Sequence, residues 1–197
     1  MKDQARFEIV DQFFRIIEER RSIRKYKEFE VPDDDISRIF RAAQLAPSTN
    51  NSQPWRFIVV RTPEMKEILA EAAGGQQFIA EANAVIVVVG MREASCCPNN
   101  PAKWYAMDTM IAAEHLILAA TALGYGTCWV AMFQSAPSEV TRIVKETLGI
   151  PADGDIIALV TLGLADETPA QRPRLEIRDI VYSEKYGTHF LDERRMG

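Results

Sequence analysis

The segment from Trp104 to Leu123 constrains the fold of this chain more than any other. If it is helical, its apolar side chains occupy nearly the whole circumference of the helix. A helix that is apolar all round is buried on all sides, so we expect the rest of the chain to pack around it. The 197 residues, 47% of them hydrophobic, suffice for one such core. We therefore expect residues 1–197 to form a single domain, with about 166–197 as an extended C-terminal arm.

The remaining apolar segments alternate between two kinds of pattern. Three short runs predict buried strands at 57–60, 84–90 and 155–164, and a further apolar run follows at 128–133. Three- and four-residue spacing predicts helices at 8–20, 33–46 and 137–148, and another helix starts at Pro63. This order indicates an α+β fold. No apolar run reaches the ~20 residues of a membrane-spanning helix, so we expect no membrane partner.

Composition excludes several classes of function. The net charge of -5 argues against a nucleic-acid partner or an anionic membrane surface. Three cysteines without a Cys-x-x-Cys pair and only two histidines make a metal site improbable. The N-terminus has no apolar signal region, so we expect a cytoplasmic protein. Dinucleotide, P-loop and nucleophile-elbow motifs are missing, so an enzyme of this sequence would rely on a bound cofactor.

Residues 20–27 form the first candidate binding segment. They read Arg-Arg-Ser-Ile-Arg-Lys-Tyr-Lys and hold five of the 23 basic side chains without any carboxylate. The run is compatible with a solvated helix end, where cations interact well with the dipole. It is equally suited to a phosphate group, which arginine forks and a serine hydroxyl can bind.

A second candidate segment, residues 46–57, reads Ala-Pro-Ser-Thr-Asn-Asn-Ser-Gln-Pro-Trp-Arg-Phe. Two prolines restrict its backbone, and a row of hydroxyl and amide groups lies between them. Such a row can bind the edge of a heterocycle, or it can simply be a polar loop.

Together with four further blocks, these two segments resemble the FMN-dependent nitroreductase family, over residues from about 15 to 182. The blocks are Val-Pro-x-x-x-Ile-x-x-Ile from Val31, Gln-x-Phe-Ile-Ala from Gln76 to Ala80, the helix from Asp108 to Leu123 followed by Leu-Gly-Tyr-Gly-Thr-Cys-Trp, and Arg172-x-x-Leu-Glu. The combination is much more specific than any one motif.

The resemblance implies a nitroreductase-like fold: a central, mostly antiparallel sheet, flanking helices and a homodimer with an exchanged C-terminal arm. It also implies FMN bound between the two chains and NADH or NADPH as electron donor. The implied reaction is ping-pong hydride transfer through flavin N5 to a nitroaromatic, a quinone or another small-molecule acceptor. A specialised enone reductase, reductive dehalogenase or flavin-consuming enzyme, or a non-catalytic FMN-binding module, is the alternative.

The resemblance also assigns residues to the flavin. The phosphate and ribityl end would be contacted by Arg20, Arg21, Ser22 and Arg172, with Arg174 as a second phosphate contact or a solvent-facing residue. Arg24 would lie at the pyrimidine edge, where charge develops in the reduced flavin. The partner chain would supply Pro47, Ser48, Asn50 and Asn51.

The ring itself has fewer expected contacts. They are the backbone at Ala131 and Met132 and the side chain of Gln76 or, as the alternative, Gln77. The acceptor pocket would be lined by Trp104, Tyr105 and Met132, although the two aromatic residues could instead be hydrophobic anchors. No side chain is expected to be catalytic, because the flavin performs the chemistry. Cys96 and Cys97, which adjoin one another, could have a redox role, but the sequence shows no cation near them to activate a thiolate.

Overall fold

The fold was analysed in a computed structural model that describes residues 2–100, 102–131 and 138–190. The helices are α1 (Lys2–Glu19), α2 (Asp33–Gln44), α3 (Pro63–Ala72), α4 (Phe78–Glu81), α5 (Trp104–Ala122), α6 (Ser138–Thr147) and α7 (Ile177–Ile180). The strands are β1 (Trp55–Val60), β2 (Ala84–Met91), β3 (Gly126–Val130) and β4 (Gly154–Gly163). None of the helices in these ranges is both long and apolar enough to span a membrane.

The four strands form one sheet in the order β1-β2-β4-β3, and all three neighbouring pairs are antiparallel. At one end of the sheet Trp55 is opposite Gly90, and at the other Leu162 is opposite both Ala84 and Thr127. The predicted α+β fold with an antiparallel sheet is confirmed.

Both faces of the sheet are covered, which explains why β2 and β4 read as continuous apolar runs. Side chains alternate between the faces. Ile86 and Val88 pack with α2 and α5 on one side. Val85 and Val87 pack with α3 and α6 on the other. The core is therefore a sheet between two helical layers.

Helix α5 is not buried on all sides within one chain, and that prediction was wrong for one stripe of the helix. Leu116 and Ala113 are fully buried under the sheet and α2. Met107 and Ile111, one turn apart, are 56% and 42% exposed. The sheet and α2 cover only one side of the helix, and the described part of the chain leaves this stripe uncovered.

Helix α1 and the C-terminal segment show the same kind of exposure more strongly. Six large apolar side chains of α1 are exposed: Phe7, Ile9, Val10, Phe13, Phe14 and Ile17. Beyond Ala165 the described chain contains the single turn of α7 and a tight turn at 183–188, and Leu175, Ile177 and Ile180 are each more than half exposed. These two ends of the chain therefore carry apolar surface that the described residues do not bury.

Candidate functional site

The segment 20–27 lies along the edge of the sheet next to β3. The Ile23 N–H donates to the Thr127 carbonyl at 2.8 Å, and the Lys27 N–H donates to the Leu164 carbonyl at 2.9 Å. Gly126 permits this approach, because a β-carbon there would lie 2.6 Å from the Ile23 side chain. The predicted basic segment is thus fixed to the sheet by its backbone, and its alternate side chains remain free to face a ligand.

A buried polar group holds the same segment in place. The Tyr26 hydroxyl donates to the Ile23 carbonyl at 2.6 Å and lies 2.6 Å from Oγ1 of Thr161. That oxygen in turn accepts from the Cys128 N–H at 3.0 Å. Burial raises the pKa of Tyr26 far above its ordinary value, so the hydroxyl stays protonated. Neither residue was predicted from the sequence, although a threonine inside an apolar strand and a tyrosine within a cationic run were visible signals.

Three side chains of the segment act on the thiol of Cys128, in the edge strand β3. Burial raises the pKa of the Cys128 thiol, while the Arg24 and Arg20 guanidinium groups and the Ser22 hydroxyl act in the opposite direction. All three therefore lie close enough to Cys128 to influence its charge. We call Arg20, Ser22 and Arg24 the basic cluster.

The cations of this segment have no acidic partners among the described residues. The ion pairs there involve Arg38, Arg61, Arg92 and Arg142 instead. Glu167 is the nearest carboxylate along the segment, but it accepts from the backbone N–H groups of Arg24 and Lys25. The Arg24 guanidinium lies 5.6 Å from the centre of the Phe78 ring, an ordinary cation-π distance. Among the described residues no carboxylate therefore forms a side-chain ion pair with Arg20 or Arg24.

Arg21 differs from its neighbours. Its guanidinium donates to the carbonyl groups of Glu18 and Arg20 at the end of α1. This is the helix-end role that cations often play. The assignment of Arg21 to a phosphate is not supported, since its side chain already caps the helix.

The second candidate segment forms a tight loop before β1, which we call the amide loop (residues 47–53). Asn50, Asn51 and Gln53 have φ values of 51°, 56° and 47°, in the left-handed region that asparagine tolerates better than most residues. The Ser48 hydroxyl accepts from the Gln53 N–H at 3.0 Å. Pro47, Asn50 and Asn51 are exposed. The loop thus holds its amide groups outward in a fixed conformation.

Helix α5 anchors the amide loop. The buried Asp108 carboxylate accepts from both the N–H and the hydroxyl of Thr49, each at 3.1 Å. Neither residue was singled out from the sequence. An aspartate among the apolar residues of α5 was the available signal, because a carboxylate that is buried needs a hydrogen-bond partner.

The basic cluster and the amide loop lie at diagonally opposite corners of the sheet. The loop enters β1 at the Gly90 end of one edge, whereas Ser22 pairs with Thr127 at the Ala84 end of the other edge. Strand spacing and rise put these corners roughly 25 Å apart. No side chain spans that distance, so the two segments of one chain do not contact each other.

The other predicted residues are scattered around these segments. Gln76 is half-buried in the turn before α4, where its amide donates to the Ala73 carbonyl at 2.9 Å. Ala131 is half-buried directly after β3. Met132 lies outside the described residues. Arg172 and Arg174 are exposed in the C-terminal segment and line only a local hollow with their own neighbours, from Gln171 to Ile177.

The two aromatic residues at the start of α5 have different surroundings. Trp104 is half-buried. Tyr105 is only 3% exposed, packs against Gly90 and donates its hydroxyl to Asp155 at 2.6 Å. A pocket role for Tyr105 is therefore not supported, because the side chain is part of the core. It is the hydrophobic anchor that the sequence left open as an alternative.

Comparison with known proteins agrees with this architecture. The model of the nitroreductase family matches residues 17–94 and 73–164. A putative NADH dehydrogenase/NAD(P)H nitroreductase of Archaeoglobus fulgidus is 37% identical over 154 residues, which cover 78% of this chain and 86% of the relative. An NADH dehydrogenase of Thermus thermophilus is 32% identical, over 82% of this chain and 91% of the relative.

Two solved structures show the same fold. A nitroreductase family protein of Clostridium novyi is 32% identical, with a TM-score of 0.69 over 90% of this chain and 96% of that one. The NADPH:FMN oxidoreductase of Vibrio harveyi, complexed with NAD+, is 25% identical, with a TM-score of 0.79 over 94% and 81%. With most of its length matched in sequence and in fold, the chain belongs to the nitroreductase family and is an oxidoreductase.

Proposed function

We propose that this protein is an FMN-dependent NAD(P)H oxidoreductase that acts as a homodimer and reduces nitroaromatic compounds, quinones or related acceptors. The observation that carries the proposal is the basic cluster. It contains two arginines without ion-pair partners among the described residues, in a chain whose net charge is -5, and the half-buried Tyr26 holds its segment in place. Uncompensated cations of this kind fit an anionic ligand.

The residues at the two corners fit the two ends of FMN. Arg20 and the Ser22 hydroxyl suit a phosphate dianion, which binds best to charged forks and hydroxyl donors. The exposed amides of Asn50 and Asn51 suit the hydrogen-bonding edge of a flat heterocycle. Arg24, in the same cluster as Arg20, would lie where negative charge develops on the ring.

Bound FMN would supply the redox chemistry, taking a hydride from the nicotinamide and passing it to the acceptor in a ping-pong cycle. The protein's own residues would position the flavin and provide the positive charge around it. Arg24 stabilises added negative charge, and the amide loop fixes the ring edge. Trp104 and the backbone at Ala131 would border the space left for the nicotinamide and the acceptor. No side chain has to act as a general base.

A homodimer follows from the separation of the corners. A basic cluster and an amide loop that lie about 25 Å apart within a chain can meet only if each site takes one from each of two chains. The exposed apolar surface of α1 and the C-terminal segment would be the area buried between them. In that arrangement the C-terminal arms are exchanged, and Arg172 and Arg174 are brought to the phosphate.

The compartment proposed for the enzyme is the cytoplasm. All three cysteines are free thiols, as expected where the environment is reducing. Relatives named as an NADPH-flavin oxidoreductase of Vibrio harveyi and an FMN reductase of Bacillus subtilis support the choice of cofactor and donor. They do not distinguish NADH from NADPH for this chain.

The test starts with the absorbance spectrum of the purified protein, followed by addition of NADH or NADPH with and without a nitroaromatic compound or a quinone. We expect a bound flavin and rapid oxidation of at least one nicotinamide when the acceptor is present. Firm FMN binding without any nicotinamide oxidation would identify a non-catalytic flavin module. Failure to bind FMN on reconstitution would reject the proposal.

The variant Arg20→Ala tests the phosphate contact itself. Losing one charge-assisted hydrogen bond costs about 1.5–3 kcal/mol, so the Kd for FMN should rise roughly tenfold to a hundredfold. Arg142→Ala is the matched control, since that arginine lies on the surface of α6 and pairs with Glu139 and Glu146. Equal FMN affinity in both variants would contradict the assignment, provided that both fold normally by circular dichroism.

A further inference from the structure

A pair of neighbouring cysteines lies outside the site described above. Cys96 and Cys97 belong to the loop that connects β2 to α5, and both are half-buried. Their sulfur atoms are 3.4 Å apart, with the Cys96 thiol donating to the Cys97 sulfur. The proposed flavin chemistry makes no use of either residue.

We propose that Cys96 and Cys97 form a dithiol site that hydroperoxides oxidise to a disulfide between the two neighbouring residues. The site is independent of the flavin assignment. It rests on the contact between the two sulfur atoms, on their accessibility and on the loop that carries them.

The hydrogen bond between the thiols gives each sulfur a separate role. A thiol that donates to its neighbour stabilises negative charge on that neighbour, so Cys97 is the residue that reacts as a thiolate. The hydrogen bond between Cys96 and Cys97 is also the largest cause of the raised pKa of Cys96, and burial is the next largest. We therefore assign Cys96 as the thiol that attacks in the second step.

The reaction balances with a hydroperoxide as the oxidant. The Cys97 thiolate attacks the terminal oxygen, the O–O bond breaks, and the products are a sulfenic acid on Cys97 and an alkoxide or hydroxide that takes a proton from water. The Cys96 sulfur then attacks the Cys97 sulfur, forming the S–S bond and releasing water. Two thiols lose two electrons in total, and these electrons reduce one peroxide.

Covalent geometry makes such a disulfide easy to reverse. Neighbouring α-carbons across a trans peptide are about 3.8 Å apart, below the usual 4.4–6.8 Å of disulfide-linked residues. Disulfides outside the preferred geometry are more readily reduced. The connecting loop consists of turns, with the Asn100 N–H donating to the Cys97 carbonyl at 3.0 Å, and no helix or strand has to be distorted.

The third cysteine provides the contrast. Cys128 is 2% exposed, lies within β3, and burial raises the pKa of its thiol. A buried thiol of this kind is inert to oxidants that act on thiolates. Oxidation should therefore be confined to the Cys96–Cys97 pair.

The test treats the full-length, reduced protein with hydrogen peroxide. It then unfolds the protein in denaturant, so that the buried Cys128 becomes accessible, blocks the remaining thiols with iodoacetamide and measures the intact mass and the peptides. We expect one disulfide per chain, loss of two hydrogen atoms, alkylation of Cys128 alone, and full recovery of all three thiols with dithiothreitol. Complete alkylation of Cys96 and Cys97 after peroxide, or their conversion to sulfinic acids without a disulfide, would overturn the proposal.

Two single variants then assign the order of attack. In Cys96→Ser the sulfenic acid on Cys97 cannot be resolved, so dimedone should label Cys97. In Cys97→Ser we expect at least a severalfold lower label on Cys96. Equal labelling in the two variants would overturn the assignment of Cys97 as the attacking thiol. Cys128→Ser is the control, and it should form the disulfide as the unmodified protein does.

Discussion

Helices α5 and α1 are both rich in apolar residues and contact each other, but their apolar side chains are buried to different extents. In α5, Leu116 and Ala113 are fully buried under the sheet and α2. In α1, Phe13 and Phe14 are each more than half exposed and contact one another edge to face. The difference shows that residues 2–100, 102–131 and 138–190 cover most of α5 and leave the apolar side chains of α1 exposed. We attribute the uncovered surface to the dimer proposed above.

The largest effect is expected from charges on the exposed face of α1. Each phenylalanine contributes about 1.5–3 kcal/mol when buried, and a two-fold dimer counts each substitution twice. Phe13→Asp with Phe14→Asp should therefore raise the dimer dissociation constant at least a thousandfold. Sedimentation velocity measures this, and circular dichroism checks that the sheet is intact. The control is Gln12→Asp, which adds a carboxylate on the opposite side of α1.

An unchanged dimer dissociation constant in the double variant would contradict burial of α1 in the dimer, because the helix would then be exposed in the native protein.

Two substitutions within α5 test separately the side of the helix under the sheet and its exposed stripe. Leu116→Ala leaves a cavity under the sheet and should lower the free energy of unfolding by about 2–5 kcal/mol without loosening the dimer. Ile111→Ala lies on the exposed stripe. It should lower the free energy of unfolding only slightly and raise the dimer dissociation constant. Urea unfolding at fixed protein concentration and light scattering separate the two effects. Identical behaviour of the two variants would mean that both sides of α5 are buried alike.

The smallest expected effect concerns pH. Burial and the hydrogen bond to Asp155 raise the pKa of Tyr105 on α5 to about 12. In the unfolded chain its pKa is about 10. Between these values only the unfolded state loses the proton, so stability is fully present below pH 10 and falls towards pH 12, by up to about 1.4 kcal/mol per pH unit.

Tyr105→Phe should flatten this part of the stability profile in chemical unfolding at several pH values. Tyr186→Phe should leave it unchanged, because that residue is 92% exposed in the C-terminal segment. An equal slope in all three proteins would show that Tyr105 does not titrate differently on folding.

Most of the fold could be predicted from the sequence, because the relevant signals are local. Continuous apolar runs bounded by turns placed β2 and β4 to within a residue or two, and Pro63 marked the start of α3. The full burial of α5 was overestimated for a physical reason. The apolar pattern predicts that Met107 and Ile111 are buried, but it does not indicate whether the same chain or a partner chain buries them.

The candidate site was predictable only in part. The basic and amide-rich segments were visible because their composition is unusual. Their positions at opposite corners depend on the strand order β1-β2-β4-β3, which no local pattern encodes. Tyr26, Thr161 and Asp108 were missed because their role is to hold other residues, through contacts that join distant parts of the chain. Tyr105 was placed in a pocket because an aromatic residue at a helix start suits both a pocket and a core.

We propose that each flavin site is formed by the basic cluster of one chain and the amide loop of the other. Subunit mixing tests it directly. The first variant, Arg20→Ala with Arg24→Ala, lacks a working basic cluster. The second, Asn50→Gly with Asn51→Gly, keeps the positive φ values but removes the side-chain amides. Each homodimer should retain little FMN.

When the two variants are unfolded together and refolded at equal concentration, about half of the dimers are mixed, and each mixed dimer has one intact site of two. The account predicts that the mixture regains roughly a quarter of the FMN bound by the unmodified protein. An FMN content no higher than that of the separate variants, with mixed dimers demonstrated by mass spectrometry, would contradict it.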